Sequence, residues 1–516
     1  MKCMNGKSRY FLPSIGQFLF FTIFLYLSFS PLSNGLLNDG DTGYHIRAGE
    51  YILNTLSVPK HDIFSYLSPP LPWTAHEWLS EVIMALFHGA SGLTGVVIFF
   101  IFLISLTYTL LYKFMRKNKG NVFIDLMIIF LVIMSSQIHW LARPHIFSLL
   151  LIVLWYYLLD VYQNNRLNYL FLLPPIMLLW VNLHGGFIGG FILLGIYLSG
   201  NFFKFFSQGT DKEGNRQKIK YLGFISFSCL LATLINPYSY HILIFPFKLV
   251  SNKIIMNNVT EFLSPNFHDY MPFKYLLLFM IAVLAISRKR LNAIELILIL
   301  LFTSMALYSV RHVLLFAIIV APIMSKQADV LITNAKEGRI ISSLRTKSDG
   351  FSGIEERSNG YLWAVVAVLI VVGSAATGNI SFRFDDTKKP VAAVEFLKTV
   401  GLKGNMYNND EFGDYMIYAA YPEYQVFFDG RSDMYGAEIL KEYLKIANFQ
   451  AGWENVIKKY EIRWVFFPSD STLSNALNQR EDWKLVYTDN VANIFLKNIP
   501  PHEKLIEKYG NLTPAF

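Results

Sequence analysis

The stretch NDGDTGYHIRAGEYIL, residues Asn38–Leu53, follows some twenty apolar residues and gathers Asp39, Asp41, His45, Arg47 and Glu50. A chain leaving a membrane gains nothing in topology from acids at the exit, because loop charge orients spans through Lys and Arg. The cluster therefore asks for another explanation, and the rest of the chain is read for it.

The surroundings are those of a membrane protein. Of 516 residues, 53% are hydrophobic and 16% charged, and there are 44 Phe and 29 Tyr. Soluble domains carry about a quarter charged residues, and aromatic enrichment fits interfacial belts. The net charge of +8 is then a matter of cytoplasmic loops, with no nucleic-acid partner implied. Apolar runs lie at about 11–33, 92–112, 122–138, 145–160, 168–183, 186–206, 220–235, 272–287, 292–309, 311–324 and 361–378. Each approaches the ~17–25 residues that span the hydrocarbon core as helix, which predicts about eleven transmembrane helices. Residues 79–90 are too short to span and read as an interfacial or re-entrant helix. The first run lacks a small-residue cleavage site and reads as a retained anchor.

Basic residues orient the chain. Lys2, Lys7 and Arg9, the segments YKFMRKNKGN, KFFSQGTDKEGNRQKIK and SRKR, and a long loop with Lys326, Lys336, Arg339, Arg345, Lys347 and Arg357 fall on alternate connections. They predict a cytoplasmic N-terminus and an extracytoplasmic tail in the cell inner or plasma membrane. All eleven histidines then fall on the outer side, although histidine played no part in the assignment.

The outer ends carry NDGDTGYH, TAHEWLSE, HWLARPHIF, WVNLHGG, INPYSYH and YSVRHVLL. Ionisable groups at that depth are costly and suggest function. Bent polar backbone there is tolerated where it lines a cavity or is buried in protein. Singly, Arg143 or Arg311 could snorkel to headgroups, and Trp73 and Trp78 are ordinary belt residues. The acids are harder to dismiss. Asp-Gly-Asp could bind a hard divalent cation through its oxygens, or Asp41 could serve as a general base. No regular ligand spacing marks a metal site, so a cation stays open and no cofactor is required.

These motifs resemble the GT-C class of membrane glycosyltransferases, and within it the dolichyl-phosphate-mannose and aminoarabinose transferase-like proteins. DTGYHIRAGEYIL with RPHIFSLLL, WVNLHGGFIGG, INPYSYHIL, SVRHVLLFAI and, in the tail, FDGRSDMYG is similar to a bacterial branch of that class. The chain departs from protein mannosyltransferases in reading Asp-Thr-Gly-Tyr in place of their Asp-Glu pair before an aromatic residue. The resemblance implies a catalytic Asp in the first outer loop, with Asp41 the best match and Asp39 second. It implies inverting transfer of a hexosyl or pentosyl group from a polyprenyl-phosphate sugar to a lipid, glycan or protein acceptor at the outer face. Arg143, Arg311 and His312 would hold the phosphate, since Arg forks match it. His45, Arg47, His76, Glu77, His145, Asn182 and His184 would line the substrate site. A lipid-linked sugar transporter or flippase, and a non-catalytic assembly scaffold, remain alternatives.

The expected organisation is a polytopic α-helical GT-C-like membrane domain, 1–379, with a first outer loop at 34–91, and a soluble extracytoplasmic α/β domain, 380–516. In the tail GNMYN, GDYMIYA, YQVFFDG, RWVFFP, WKLVYTD and ANIFLK read as strands. KPVAAVEFLKTVG, GAEILKEYLKIANF and GWENVIKKYE read as helices. FDGRSDMYG reads as a structural turn with an internal Asp–Arg pair, the alternative being a contact to substrate or to the mouth of the membrane domain. Cys3 and Cys229 are too far apart to pair.

Overall fold

The computed structural model describes residues 12–117, 120–164, 167–207, 212–287, 289–334, 339–358, 360–510 and 512. Cys3, the N-terminal Lys2, Lys7 and Arg9, and Lys336 lie outside them. The membrane part comprises α1 (Ile15–Phe29), α2 (Asp41–Thr55), α3 (Trp78–Arg116), α4 (Val122–Ser136), α5 (His145–Gln163), α6 (Leu173–Leu183), α7 (Ile188–Ser207), α8 (Lys212–Ala232), α9 (His241–Ser251), α10 (Lys253–Asn258), α11 (Phe273–Ile286), α12 (Ala293–Tyr308), α13 (Val313–Asn334), α14 (Arg339–Arg357) and α15 (Tyr361–Ala376).

The count of about eleven spans is too high by length and composition. Among the described residues five helices are long and apolar enough to cross a membrane, six if the bent pair Ile15–Phe29 and Pro31–Leu37 is one span. Five further apolar helices have 10–17 residues, short of the ~20 that cross the core untilted. The runs were counted by composition, and local breakers shorten the helices they form. Pro31 follows the end of α1, where the chain turns by 81°. Pro174 and Pro175 sit in the first turn of α6, where the absent N–H costs nothing. α8 starts in the charged segment Lys212–Arg216, which lowers its hydropathy. Exposed Phe18, Phe206, Phe247, Leu300 and Leu369 give the bundle an apolar exterior. It is an integral membrane chain.

Residues 79–90 form the first part of α3, which breaks at Ser91 and Gly92, the latter with φ of +60°. The long basic connection after α13 is largely a helix, α14. Helix α2 crosses α3 closely: a Cβ on Gly49 would stand 1.9 Å from the Glu81 carbonyl oxygen. Gly49→Ala is expected to lower stability by about 3 kcal/mol, the upper end of overpacking costs, read as a fall in the melting midpoint in detergent. Reporter fusions at Lys212 and Asp385 are expected to read cytoplasmic and external. The same compartment at both would overturn the orientation.

The tail holds α16 (Val391–Val400), β1 (Asn405–Asn408), α17 (Asp410–Ala420), α18 (Ser432–Ala447), α19 (Trp453–Lys459), β2 (Ile462–Pro468), α20 (Thr472–Leu477), β3 (Trp483–Thr488), β4 (Ala492–Lys497) and α21 (Glu503–Tyr509). The sheet order is β1-β2-β4-β3, parallel between β1 and β2 and antiparallel elsewhere. Two of the six expected strands differ. GDYMIYA lies in helix α17, because the Asn409 side chain accepts from the Phe412 N–H and Asp410 and Glu411 fill the first turn. YQVFFDG joins no strand of this sheet. Val426 pairs instead with the first outer loop: its N–H donates to the Phe64 carbonyl at 3.1 Å, and its carbonyl accepts from Tyr66 at 3.2 Å.

Candidate functional site

Asp41 opens helix α2, where the positive helix end favours a carboxylate. The Asp39 side chain accepts from the Asp41 N–H at 2.9 Å. The acidic cluster is thus partly an N-terminal helix device. Its other part is a partner 104 residues away: Arg143 touches Asp39 Oδ2 and Asp41 Oδ2, both at 2.5 Å, and Glu261 Oε1 at 2.7 Å. Glu261 lies in the turn Thr260–Phe262 and also faces Arg311 at 3.8 Å. The Arg143 guanidinium holds the Glu261 carboxyl well below the usual carboxylate range. Burial pushes the Asp41 carboxyl up, and the Arg143 charge offsets part of that rise. Both carboxylates of Asp-Gly-Asp thus face a guanidinium. Among the described residues no group of three or more His, Cys, Asp or Glu is arranged to hold a metal ion.

Arg143 also lines a cavity of about 290 Å³, and the same cavity is lined by His76, Glu77, His139, His145, His184, Glu261, Arg311 and His312. Its remaining wall is apolar, including Leu149, Ile152, Ile192, Leu249, Phe302 and Leu315 from α5, α7, α9, α12 and α13. The polar end is ordered by hydrogen bonds. The Gly186 N–H donates to His184 Nδ1 at 2.9 Å, so that nitrogen is bare. The Ser148 hydroxyl, which accepts from Trp180 Nε1, donates to the same Nδ1 at 2.7 Å. The His184 proton is therefore on Nε2, 3.3 Å from Glu77 Oε1. A Cβ on Gly186 would stand 2.8 Å from His184 Nδ1, so the Gly in NLHGG permits this contact. His76 donates through Nδ1 to the Thr74 carbonyl and turns Nε2 to Glu77 at 3.6 Å.

Of the residues picked from sequence, His76, Glu77, Arg143, His145, His184, Arg311 and His312 meet at this cavity. Asp39 and Asp41 stand behind Arg143. Three others do not line it. His45 is buried below, between Glu77 at 3.6 Å and Glu81 at 3.2 Å. Arg47 donates twice to the Tyr418 carbonyl, at 2.9 and 2.6 Å, and pairs with Glu50. Asn182 accepts from Trp78 Nε1 and donates to the Leu178 and Ile235 carbonyls, a structural role.

The reading missed Glu261 and Asp414. Glu261 is an acid in an outer connection, the same signal that singled out Asp41. Asp414 was hidden by reading its segment as a strand. It accepts from the Gly430 N–H at 3.0 Å, and helix α17 lies on α2: Cβ atoms on Gly40 and Gly43 would each stand 2.8 Å from Asp414 atoms. In FDGRSDMYG the Asp429–Arg431 pair forms, with Nε–Oδ1 at 2.8 Å and Nη2–Oδ2 at 2.7 Å. Arg431 also reaches Asp62 of the first outer loop at 2.8 Å. The motif is both turn and contact.

No family model matches the sequence, and no curated protein sequence matches it. Among solved structures, the apo crystal structure of the Archaeoglobus fulgidus oligosaccharyltransferase superposes with a TM-score of 0.55 over 94% of this chain and 74% of that one, at 10% identity. The fold is GT-C-like. At that identity the likeness concerns the fold alone. It spans membrane bundle and tail together.

Proposed function

We propose that this chain is a GT-C-type glycosyltransferase that moves a sugar from a polyprenyl-phosphate donor to an acceptor at the outer membrane face, with inversion. The observation that carries the reading is the cavity itself. One volume joins an apolar body to a head bearing Arg143, Arg311 and five other polar side chains of the predicted set. An isoprenoid phosphate has that division. The oligosaccharyltransferase likeness supports the same class of chemistry.

In this mechanism the prenyl chain fills the apolar body and the phosphate takes the guanidinium forks of Arg143 and Arg311. His76, Glu77 and His184 orient sugar hydroxyls. The acceptor hydroxyl or amine attacks the anomeric carbon, the bond to the phosphate oxygen breaks, and Asp41 takes the acceptor proton. Arg143 links the two ends of the reaction, since it touches Asp41 and lines the phosphate end. A phosphate that draws on Arg143 weakens its hold on Asp41 and makes Asp41 the stronger base.

The test is transfer of a radiolabelled sugar from polyprenyl phosphate to acceptor by purified protein. Movement of the donor between leaflets without transfer would indicate a flippase, and neither would indicate a scaffold. Asp41→Asn keeps shape and removes the base, so turnover should fall ~100-fold or more with donor binding largely kept. Near-normal transfer by this variant would remove Asp41 from the mechanism.

A further inference from the structure

We propose that Asp41 and Asp414 share one proton, so that the C-terminal domain supplies half of the carboxyl pair acting as base. The inference rests on the glycosyltransferase reading for its catalytic meaning, but not for its geometry. Gly430 marks the meeting point. A Cβ there would stand 2.0 Å from Asp41 Oδ1 and 3.1 Å from Asp414 Oδ2, so both oxygens border one small volume. Gly40 and Gly43 bring the backbone of α2 equally close to Asp414. A side chain at any of these glycines would separate the two acids.

The surrounding charges favour the shared proton. Asp41 faces Arg143, Asp39, Glu261, Glu77 and Tyr44, and Asp414 faces Asp41, Asp39 and Asp429. Arg431 neutralises Asp429, and Arg143 is already divided among Asp39, Asp41 and Glu261. Asp414 is 2% exposed and has no cation of its own among the ion pairs of the described residues. Two adjacent buried carboxyls, of which only Asp41 touches a guanidinium, cannot both ionise readily. Burial and the neighbouring acid both push the Asp414 carboxyl up. Asp41, held by Arg143, is the anionic member, and Asp414 is the acid that hydrogen-bonds to it. Asp414 is a positioning residue: it fixes the Asp41 carboxylate and keeps a second negative charge away from the incoming phosphate. In the transfer step the acceptor proton goes to Asp41, giving a neutral pair that later releases one proton to water.

Infrared difference spectroscopy of the full-length protein in detergent tests the pair without any substrate. A protonated-carboxyl C=O band at pH 7 is expected in wild type, lost in Asp414→Asn and shifted in frequency in Asp41→Asn, each isosteric, because burial keeps Asp414 protonated while its hydrogen-bond partner changes. Absence of that difference band from either variant would overturn the proposal. A transfer assay gives the second readout: the alkaline decline of wild-type activity should be missing from Asp414→Asn, and an unchanged decline would count against the shared proton. A wild type that transfers no sugar would sink the glycosyltransferase reading alone, because the infrared band decides the pair by itself.

Discussion

Arg143→Ala is expected to abolish measurable transfer and to lower the melting midpoint sharply at pH 7. Three carboxylates, Asp39, Asp41 and Glu261, would lose the guanidinium that all of them touch. Removing one partner of a buried ion pair costs about 3–5 kcal/mol; the Arg143 side chain is 17% exposed, which places the effect toward the lower figure. pH separates the electrostatic origin from lost packing. The Glu261 carboxyl is depressed in the folded protein, so the stability it contributes is present above its unfolded value of 4.5 and is lost as pH falls toward the folded one. Wild type should therefore lose stability on acidification through that window. The alanine variant should gain, because protonation relieves the repulsion of three acids. Arg143→Lys keeps the charge and loses the fork, so it should recover most of the stability but little of the transfer. Parallel melting curves for wild type and alanine variant from pH 7 down to about 3 would show that the cluster is not held by this charge.

Arg431→Leu should have the second largest effect, on stability. Arg431 is 2% exposed, bound to Asp429 and Asp62, and lies 4.6 and 4.9 Å from the rings of Trp73 and Phe64. Substitution leaves two buried carboxylates unpaired, at about 3–5 kcal/mol. The loss should appear as detachment of the tail, read by cleavage between α15 and α16 under limited proteolysis. Asp62 supplies the sign of the pH dependence. Burial raises its carboxyl, but the Arg431 charge and hydrogen bonds from Ser65 and Phe64 outweigh burial and leave it depressed. Its contribution is present above the ordinary value of 3.8 and fades as pH falls below it. The triple variant with Asp62→Asn and Asp429→Asn should regain much of the loss, since no unpaired charge remains. An unchanged proteolysis pattern in Arg431→Leu would mean the tail is held elsewhere.

Much of the membrane end of the site was legible because polar residues at span ends are costly and stand out against apolar runs: Arg143, His184 and Arg311 were visible this way. What could not be read was which partner each would take. Asn182 and Arg47 carry the same signal, yet they satisfy backbone carbonyls. Asp41 reads as an acid in the first outer loop, but it opens a helix beneath a tail segment more than three hundred residues later. Strand and helix in GDYMIYA are separated by the cap at Asn409, which a short alternating pattern conceals. The number of spans failed for a related reason: apolar composition marks what lies in the bilayer, while Pro31 marks where α1 has ended and Pro174 and Pro175 where α6 begins.

The contact between Arg47 and Tyr418 joins residues 371 positions apart, and that separation sets an order of assembly. At synthesis rates of about 5–20 residues per second, the first outer loop is made roughly 20–75 seconds before the segment that covers it. Through that interval Asp62 has no Arg431, Val426 is absent from Phe64, and Asp41 has Arg143 but not Asp414 beside it. The nascent protein thus lacks the covering tail over its first outer loop until the last quarter of the chain arrives, and a ribosome stalled before residue 414 leaves a membrane-inserted product with the Arg143 cavity but without the Asp414 that lies against Gly40 and Gly43.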